Sequence, residues 1–221
     1  MNTYKIIKTY LKKEKSIIII SIILGLILTI FATTLTKGYF KNLQSSISKE
    51  VIRFHILANS NSVEDQNLKL KVKSEIIKML EDKLDSSTSK EETKAFLTEN
   101  LENIKLKALE VIKESGYNYP VSVEISNSYF PTKTYGDISL PAGEYEALKI
   151  KIGNAEGKNW WCVMFPPLCF VDVTMKKVPE KDKELLKNIL TDEEYEIVSK
   201  ESSKKPSVKI KFKLLEIFNK E

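Results

Sequence analysis

The sequence predicts an α+β domain: a mostly antiparallel sheet with helices packed on one face, preceded by one N-terminal transmembrane or signal helix. Three observations carry this reading. Ser16–Thr36 is an unbroken run of uncharged, mostly apolar residues. Two apolar patterns of helical period follow between residues 64 and 116. Beyond Pro120 the period changes to two, which is the alternation of a strand. Helices followed by a block of strands point to α+β architecture.

The apolar run, at helical rise, is about 31 Å long, matching the hydrocarbon thickness of a bilayer. It has no polar face and has the wrong length for a buried core helix. The leader before it holds five lysines (Lys5, Lys8, Lys12, Lys13, Lys15) against Glu14. Basic residues flanking a spanning segment stay cytoplasmic. The expected organisation is therefore a basic cytoplasmic leader (1–15), a transmembrane or signal-anchor helix (16–36), a stalk (37–49) and an extracytoplasmic α+β domain (50–221). The run exceeds the usual apolar core of a signal peptide, and Ala32-Thr33-Thr34 is only a weak small-residue cleavage site. A retained anchor and a cleaved signal both stay open. The net charge is +5, and most of it lies in the leader. No basic block stands out in the remainder, which argues against a nucleic-acid surface.

Val51–Ala58 (VIRFHILA) is apolar on both faces except at Arg53 and His55, as expected of a central strand. Asn59-Ser60-Asn61-Ser62 is a turn that supplies a helix cap, with Ser62 and Asp65 resembling a capping box. Leu68, Val72, Ile76, Leu80 and Leu84 then define a helix over 64–84. Ser89 with Glu92 opens a second helix, carrying Leu97, Leu101, Ile104, Ala108 and Ile112 and stopping at Gly116. The short Asp85–Thr88 link makes the two antiparallel neighbours. Val121, Val123 and Ile125 begin a strand, and Asn127–Gly143 reads as a long loop. Tyr145–Ile152 is a strand with Leu148, Ile150 and Ile152 inward. Asn159–Val173 is an apolar stretch broken at Pro166-Pro167. Thr191 and Glu194 cap a short helix, and Ser207–Phe218 reads as a closing strand.

The window Gly157–Thr174 holds both tryptophans and both cysteines of the chain. Its prolines belong at a turn or an edge. If a hairpin turns at Phe165-Pro166, Cys162 and Cys169 stand opposite each other at a spacing compatible with a disulfide. Two small buried apolar residues are the alternative. One His and two Cys leave few metal ligands, so no metal is expected. His55 lacks any motif that would supply a nucleophile and an orienting acid. No Gly-x-Ser-x-Gly elbow and no Gly-rich phosphate loop occurs. Asn59, Ser60, Asp65 and Gln66 form either an anion site at a helix N-terminus or simple capping. Tyr129, Phe130, Tyr135 and Tyr145 make the long loop aromatic-rich, suited to covering a core or to anchoring a partner.

RFHILANSNSVEDQNLKLKVK (53–73), SYFPTKTYGDISLPAGEYEALKIKIG (128–153) and NWWCVMFPPLCFVD (159–172) together closely resemble the stage II sporulation protein R family of endospore-forming Firmicutes. The resemblance implies a signal with no enzymatic activity of its own. Family members are made in the forespore and exported into the space between the two sporulation membranes. There they trigger a membrane-embedded aspartic protease of the mother cell, which removes the pro-sequence from the sigma factor E precursor. The chain departs from the family in its long, poorly cleavable apolar segment and in Asn61, which stands where an acid is expected. On this reading the partner is that receptor protease, and no cofactor, nucleic acid or small-molecule substrate is expected. Catalytic residues are expected to be none. The contact surface would be loop 128–143 with hairpin 159–172, using Tyr129, Phe130, Tyr135, Trp160, Trp161 and Phe165. A membrane-anchored cell-envelope hydrolase using His55 is the alternative.

Overall fold

The computed structural model describes residues 14–86, 89–170 and 177–199. Most of the basic leader and the predicted closing strand Ser207–Phe218 lie outside the described residues, as does the end of the 159–173 stretch.

The chain divides into two compact units, residues 1–44 and 45–221. The first is the greater part of helix α1, Lys15–Glu50. Its apolar window is long enough to cross a bilayer and is wholly exposed. The hydroxyls within it are satisfied internally: Thr29 Oγ1 donates to the Gly25 carbonyl at 2.8 Å and Thr33 Oγ1 to that of Thr29 at 2.9 Å. Such back-bonding removes the cost of placing Thr in hydrocarbon. The segment expected as a stalk, 37–49, continues this helix without a break.

In the second unit α1 ends at Glu50, with Ile47 buried. Lys90 Nζ donates to the Lys49 carbonyl at 2.6 Å, a cation on orphaned carbonyls of a helix C-terminus. Strand β1 (Ile52–Leu57) follows, then helices α2 (Val63–Ser86), α3 (Lys90–Glu99) and α4 (Leu101–Glu114). The second predicted helix is thus two. The break falls at Asn100, whose side chain donates to the Phe96 carbonyl at 2.9 Å, the competition with helical bonding that disfavours Asn inside helices. Ser89 caps α3 as expected, accepting from Glu92 N. Residues Asn67 to Glu75 of α2 lie beside Val111 to Ser115 of α4, so these two run antiparallel.

Strands β2 (Val121–Phe130), β3 (Lys133–Tyr135), β4 (Ile138–Leu140), β5 (Gly143–Ile152) and β6 (Asn159–Phe165) complete the sheets. The main sheet has the order β2-β5-β1-β6. It is mixed, which corrects the mostly antiparallel expectation: β1 and β5 pair in parallel, while β2 and β6 are antiparallel to their neighbours. A parallel pair needs a long crossover, and α2, α3, α4 and β2 supply it.

The predicted loop 127–143 is largely strand. β2 runs on to Phe130, and β3 and β4 form a hairpin closed by Gly136-Asp137, with Gly136 at φ 56°. A two-residue turn of this kind needs positive φ, which Gly supplies without strain. Asp137 then ties the hairpin to helix α5 (Glu180–Ile189), which the sequence reading left unassigned. Lys183 Nζ lies 2.7 Å from Asp137 Oδ2, and both side chains are largely buried. The hydrogen bond to Asp137 pushes the Lys183 ammonium up to about 12. Helix α6 (Asp192–Val198) opens with the predicted capping box of Thr191 and Glu194.

Helices α2, α3 and α4 cover one face of the sheet. Ile52, Phe54 and Ile56 of β1, Leu148, Ile150 and Ile152 of β5, and Cys162 and Met164 of β6 meet Leu68, Val72, Ile76, Leu97, Ile104 and Ala108. Each fully buried large aliphatic side chain there contributes roughly 1.5–3 kcal/mol.

Candidate functional site

The other face of the sheet carries the polar and aromatic residues. Side chains alternate along a strand, so Arg53 and His55 of β1 point away from the helices. Register places Ala147 and Val163 on either side of Arg53, and Lys149 and Trp161 on either side of His55. Ser126 and Ser128 of β2 stand beside Ala147 and Tyr145 of β5.

Arg53 is fully buried. Its Nε donates to the Cys162 carbonyl at 3.0 Å and its Nη2 to the Tyr135 hydroxyl at 3.0 Å. The guanidinium lies 4.3 Å from the Phe130 ring centre, 4.9 Å from Tyr145 and 5.8 Å from Tyr135. Burial lowers the Arg53 pKa, opposed by Tyr135 and Tyr145, and the weakly hydrated, delocalised cation stays charged. The ring faces offer it a negative potential in place of a counter-ion.

His55 is 5% exposed. Its ring stacks on Trp161 with centroids 3.9 Å apart and approaches Phe130 at 5.7 Å. Burial lowers its pKa to about 4, Lys149 and Lys151 adding to the effect and Asn159 opposing it. The imidazole is therefore neutral, packed on aromatic rings and within the field of two lysines. The hydrolase alternative needs an acid to orient this ring, and the groups acting on it include none.

A pH dependence of stability follows. Between pH 6.5 and about 4 the unfolded chain takes up a proton at His55 that the folded domain refuses. Stability is expected to fall by about 2 kcal/mol as pH drops through that window, after a discount for solvent near the ring. The charged groups facing His55 are Arg53 on its own strand and Lys149 and Lys151 on β5, the last paired with Glu124 of β2 at 3.1 Å. Urea unfolding of the wild type and of His55→Leu at pH 7 and pH 4.5 checks this. The variant should lose most of the slope, and an unchanged slope would assign the dependence to other groups.

The six aromatic residues expected at a partner surface separate into three groups. Phe130 and Phe165 are buried at 0% and 1% exposure, so neither presents a surface to a partner. Tyr135 is half-buried against Arg53. Tyr129, on edge strand β2, is 61% exposed. Trp160 and Trp161 are half-buried and face opposite ways. Trp160 meets Phe54 edge-on at 5.6 Å on the helix side, and Trp161 lies against His55. Sequence reading placed Phe130 in a long loop and Phe165 at a hairpin turn, because each is the last residue of its strand and a proline follows it.

Cys162 and Cys169 are joined by a disulfide, their Cα atoms 5.5 Å apart. The hairpin invoked to bring them together is not there among the described residues. After Phe165 the chain passes through a cis Pro166 into a 3-10 turn, Leu168–Phe170. Proline cannot continue the ladder, so β6 ends where Pro166 begins.

The Asn59–Ser62 turn spends its polar groups internally. Asn59 Oδ1 accepts from Asn154 N at 3.0 Å, Asn61 Oδ1 from Lys158 N at 2.8 Å, and Asn59 Nδ2 donates to Asp65 at 2.8 Å. Glu156 N and Gly157 N donate to the carbonyls of Asn59 and Ala58. Burial pushes the Asp65 carboxyl up, but hydrogen bonds from Ser60, Asn59 and Tyr119 outweigh it and leave it below its ordinary value. The turn therefore locks the β1–α2 connection to the β5–β6 connection and is capping and bracing, not an anion site.

An α+β domain behind one apolar, membrane-type helix, with a buried arginine–aromatic cluster on the side of its sheet away from α2–α4, is the class defined so far. The family model of stage II sporulation protein R matches residues 48–175, and the chain belongs to that family. It is 42% identical over 143 residues to stage II sporulation protein R of Bacillus subtilis (strain 168), a match covering 64% of each chain. No solved structure matches it. Membership assigns the chain to sporulation, and the N-terminal apolar helix suggests a membrane anchor or signal peptide.

Proposed function

We propose that the chain is an exported sporulation signal. Its domain acts in the space between forespore and mother cell, reached by way of the N-terminal helix. It binds the outer face of a membrane-embedded aspartic protease and favours that protease's active state, so that the sigma factor E precursor loses its pro-sequence. The observation that carries this reading is the family match over both sheets and helices α2–α4, directly behind an apolar segment of membrane length. The environment of His55, with aromatic and basic neighbours, suits a binding domain better than a hydrolase.

A ligand shifts a two-state receptor only through differential affinity, about 5.5 kcal/mol for a swing from 1:99 to 99:1. Exposed aromatics are the groups best able to contribute such energy. Tyr129→Ala is expected to leave stability within about 0.5 kcal/mol of wild type and to lower precursor processing about tenfold. Trp161→Ala is expected to lower both, because it also packs on His55. Co-expression of the full chain, protease and precursor in a non-sporulating host tests the proposal. Shortened precursor should appear only when residues 37–221 are delivered outside the membrane. Processing with the domain held in the cytosol, or none in either case, defeats it.

A further inference from the structure

The main sheet has two edges, and they are finished differently. At β6 the last four residues are buried, Lys69 Nζ donates to the Lys158 carbonyl at 2.9 Å, and the Cys162–Cys169 disulfide fastens the 3-10 turn to the strand. At β2 nothing comparable is found among the described residues. That strand pairs with β5 on one side only and ends the sheet. Its register runs unbroken through ten pairs, from Val121 opposite Ile152 to Phe130 opposite Gly143, with no bulge. It holds no proline, no lysine and one charged residue, Glu124. Bulges, prolines, lysines and short length are the devices that keep an edge from pairing with another strand, and β2 has none of them.

The side chains at this edge also leave apolar area uncovered. Val121, Val123, Ile125 and Tyr129 share the face on which α4 lies. Val123 and Ile125 are packed against the core yet only partly buried, as is Leu109 of α4. Tyr129 is 61% exposed, and Leu106, one turn before Leu109, is 54% exposed. A strand of this length is about 34 Å long and turns the N–H and C=O groups of about five residues outward.

We propose that β2 pairs antiparallel with β2 of a second copy of this chain, joining two four-stranded sheets into one across a two-fold axis at Ile125. In that register the strand supplies its own counterpart. Directly opposed side chains lie on the same face, so Ile125 meets Ile125, Val121 meets Tyr129, Ser122 meets Ser128 and Glu124 meets Ser126 of the other copy. These are β-branched, aromatic and hydroxyl pairs, with no like charges opposed. Sliding the axis to Glu124 would set two carboxylates against each other, which is destabilising. The contact is isologous, so the pair closes and does not grow into a fibre. Tyr129→Ala, expected above to lower processing, should lower pairing as well. Pairing is read by mass and distance and processing by cleavage, so this assignment and the signalling proposal can fail separately.

Analytical ultracentrifugation of the full chain in detergent micelles should show a concentration-dependent dimer. Asn127→Lys with Tyr129→Lys, which installs the edge lysines that β2 lacks, should raise the dimer Kd about tenfold or more with unchanged melting, while Asn67→Lys with Ser74→Lys on α2 should not. Ser126 gives a signed test that serves if the double variant fails to fold. Ser126→Glu would face Glu124 of the other copy and should weaken the dimer, whereas Ser126→Lys should hold or tighten it. A nitroxide on Ser122→Cys should report an intermolecular separation of about 20 Å, the stagger of the two strands. A chain that is monomeric at every concentration overturns the proposal. So does a dimer indifferent to the lysine pair and to the sign of the charge at position 126, which puts association elsewhere on the molecule. A wild type that pairs only after removal of residues 200–221 assigns the edge to the chain's own end and overturns it too.

Discussion

Replacing Arg53 with alanine is expected to cost about 3–5 kcal/mol, much of the 5–15 kcal/mol that holds an ordinary domain folded. The guanidinium fills the space between Phe130, Tyr145 and Tyr135, and it satisfies the Cys162 carbonyl and the Tyr135 hydroxyl. Alanine would leave a cavity and orphan both acceptors in a dry interior. Arg53→Met keeps the apolar stem and should cost less, because it fills volume while burying no charge. Arg53→Lys should fall between them, since a compact ammonium cannot reach two acceptors as a planar fork does. Urea unfolding of the three variants gives the order directly. An alanine variant within about 1 kcal/mol of wild type would show that the cluster tolerates loss of its centre.

Gly157→Ala is expected to cost about 3 kcal/mol or more. A Cβ there would collide with the Ser60 carbonyl oxygen and lie 2.7 Å from its carbon. Those are backbone atoms in the Asn59–Ser62 lock and cannot swing aside, and Gly157 N is itself bonded to the Ala58 carbonyl at 2.9 Å. Gly38→Ala is the control. It lies in α1 with nothing within 4 Å of the added carbon, so it should be neutral or slightly stabilising. Thermal melts of the two variants should therefore move in opposite directions or only the first should move. A Gly157 variant melting with the wild type would mean the two connections are not braced against each other.

What could be read from sequence was local. The N-caps at Ser89 and Thr191, the stop at Gly116 and the central placement of β1 all rest on a few neighbouring residues, and the structure agrees with each. The parallel pairing of β1 with β5 rests on contacts between segments far apart, which periodicity does not encode. The β3–β4 hairpin was missed although Gly136-Asp137 announces it, because each of its strands is only three residues long. The candidate site was half visible. Arg53 and His55 stood out as polar interruptions in an apolar strand, but that Phe130 and Tyr145 enclose Arg53 emerges only once β2, β5 and β1 are aligned. The Asn59 turn left capping and anion binding both open for the opposite reason: the partners of its asparagines sit on a connection nearly a hundred positions away.

The topology also has a consequence for biogenesis. Arg53 meets Ala147, 94 positions later, and β6 joins still further on. Strand β1, apolar except at Arg53 and His55, is therefore synthesised early and waits for most of the polypeptide before it finds either neighbour. Late long-range closure of this kind slows folding and leaves a sticky strand exposed meanwhile. Production of the domain should respond to holdase chaperones, and truncations upstream of β5 should be cleared by quality-control proteases and not accumulate as stable fragments.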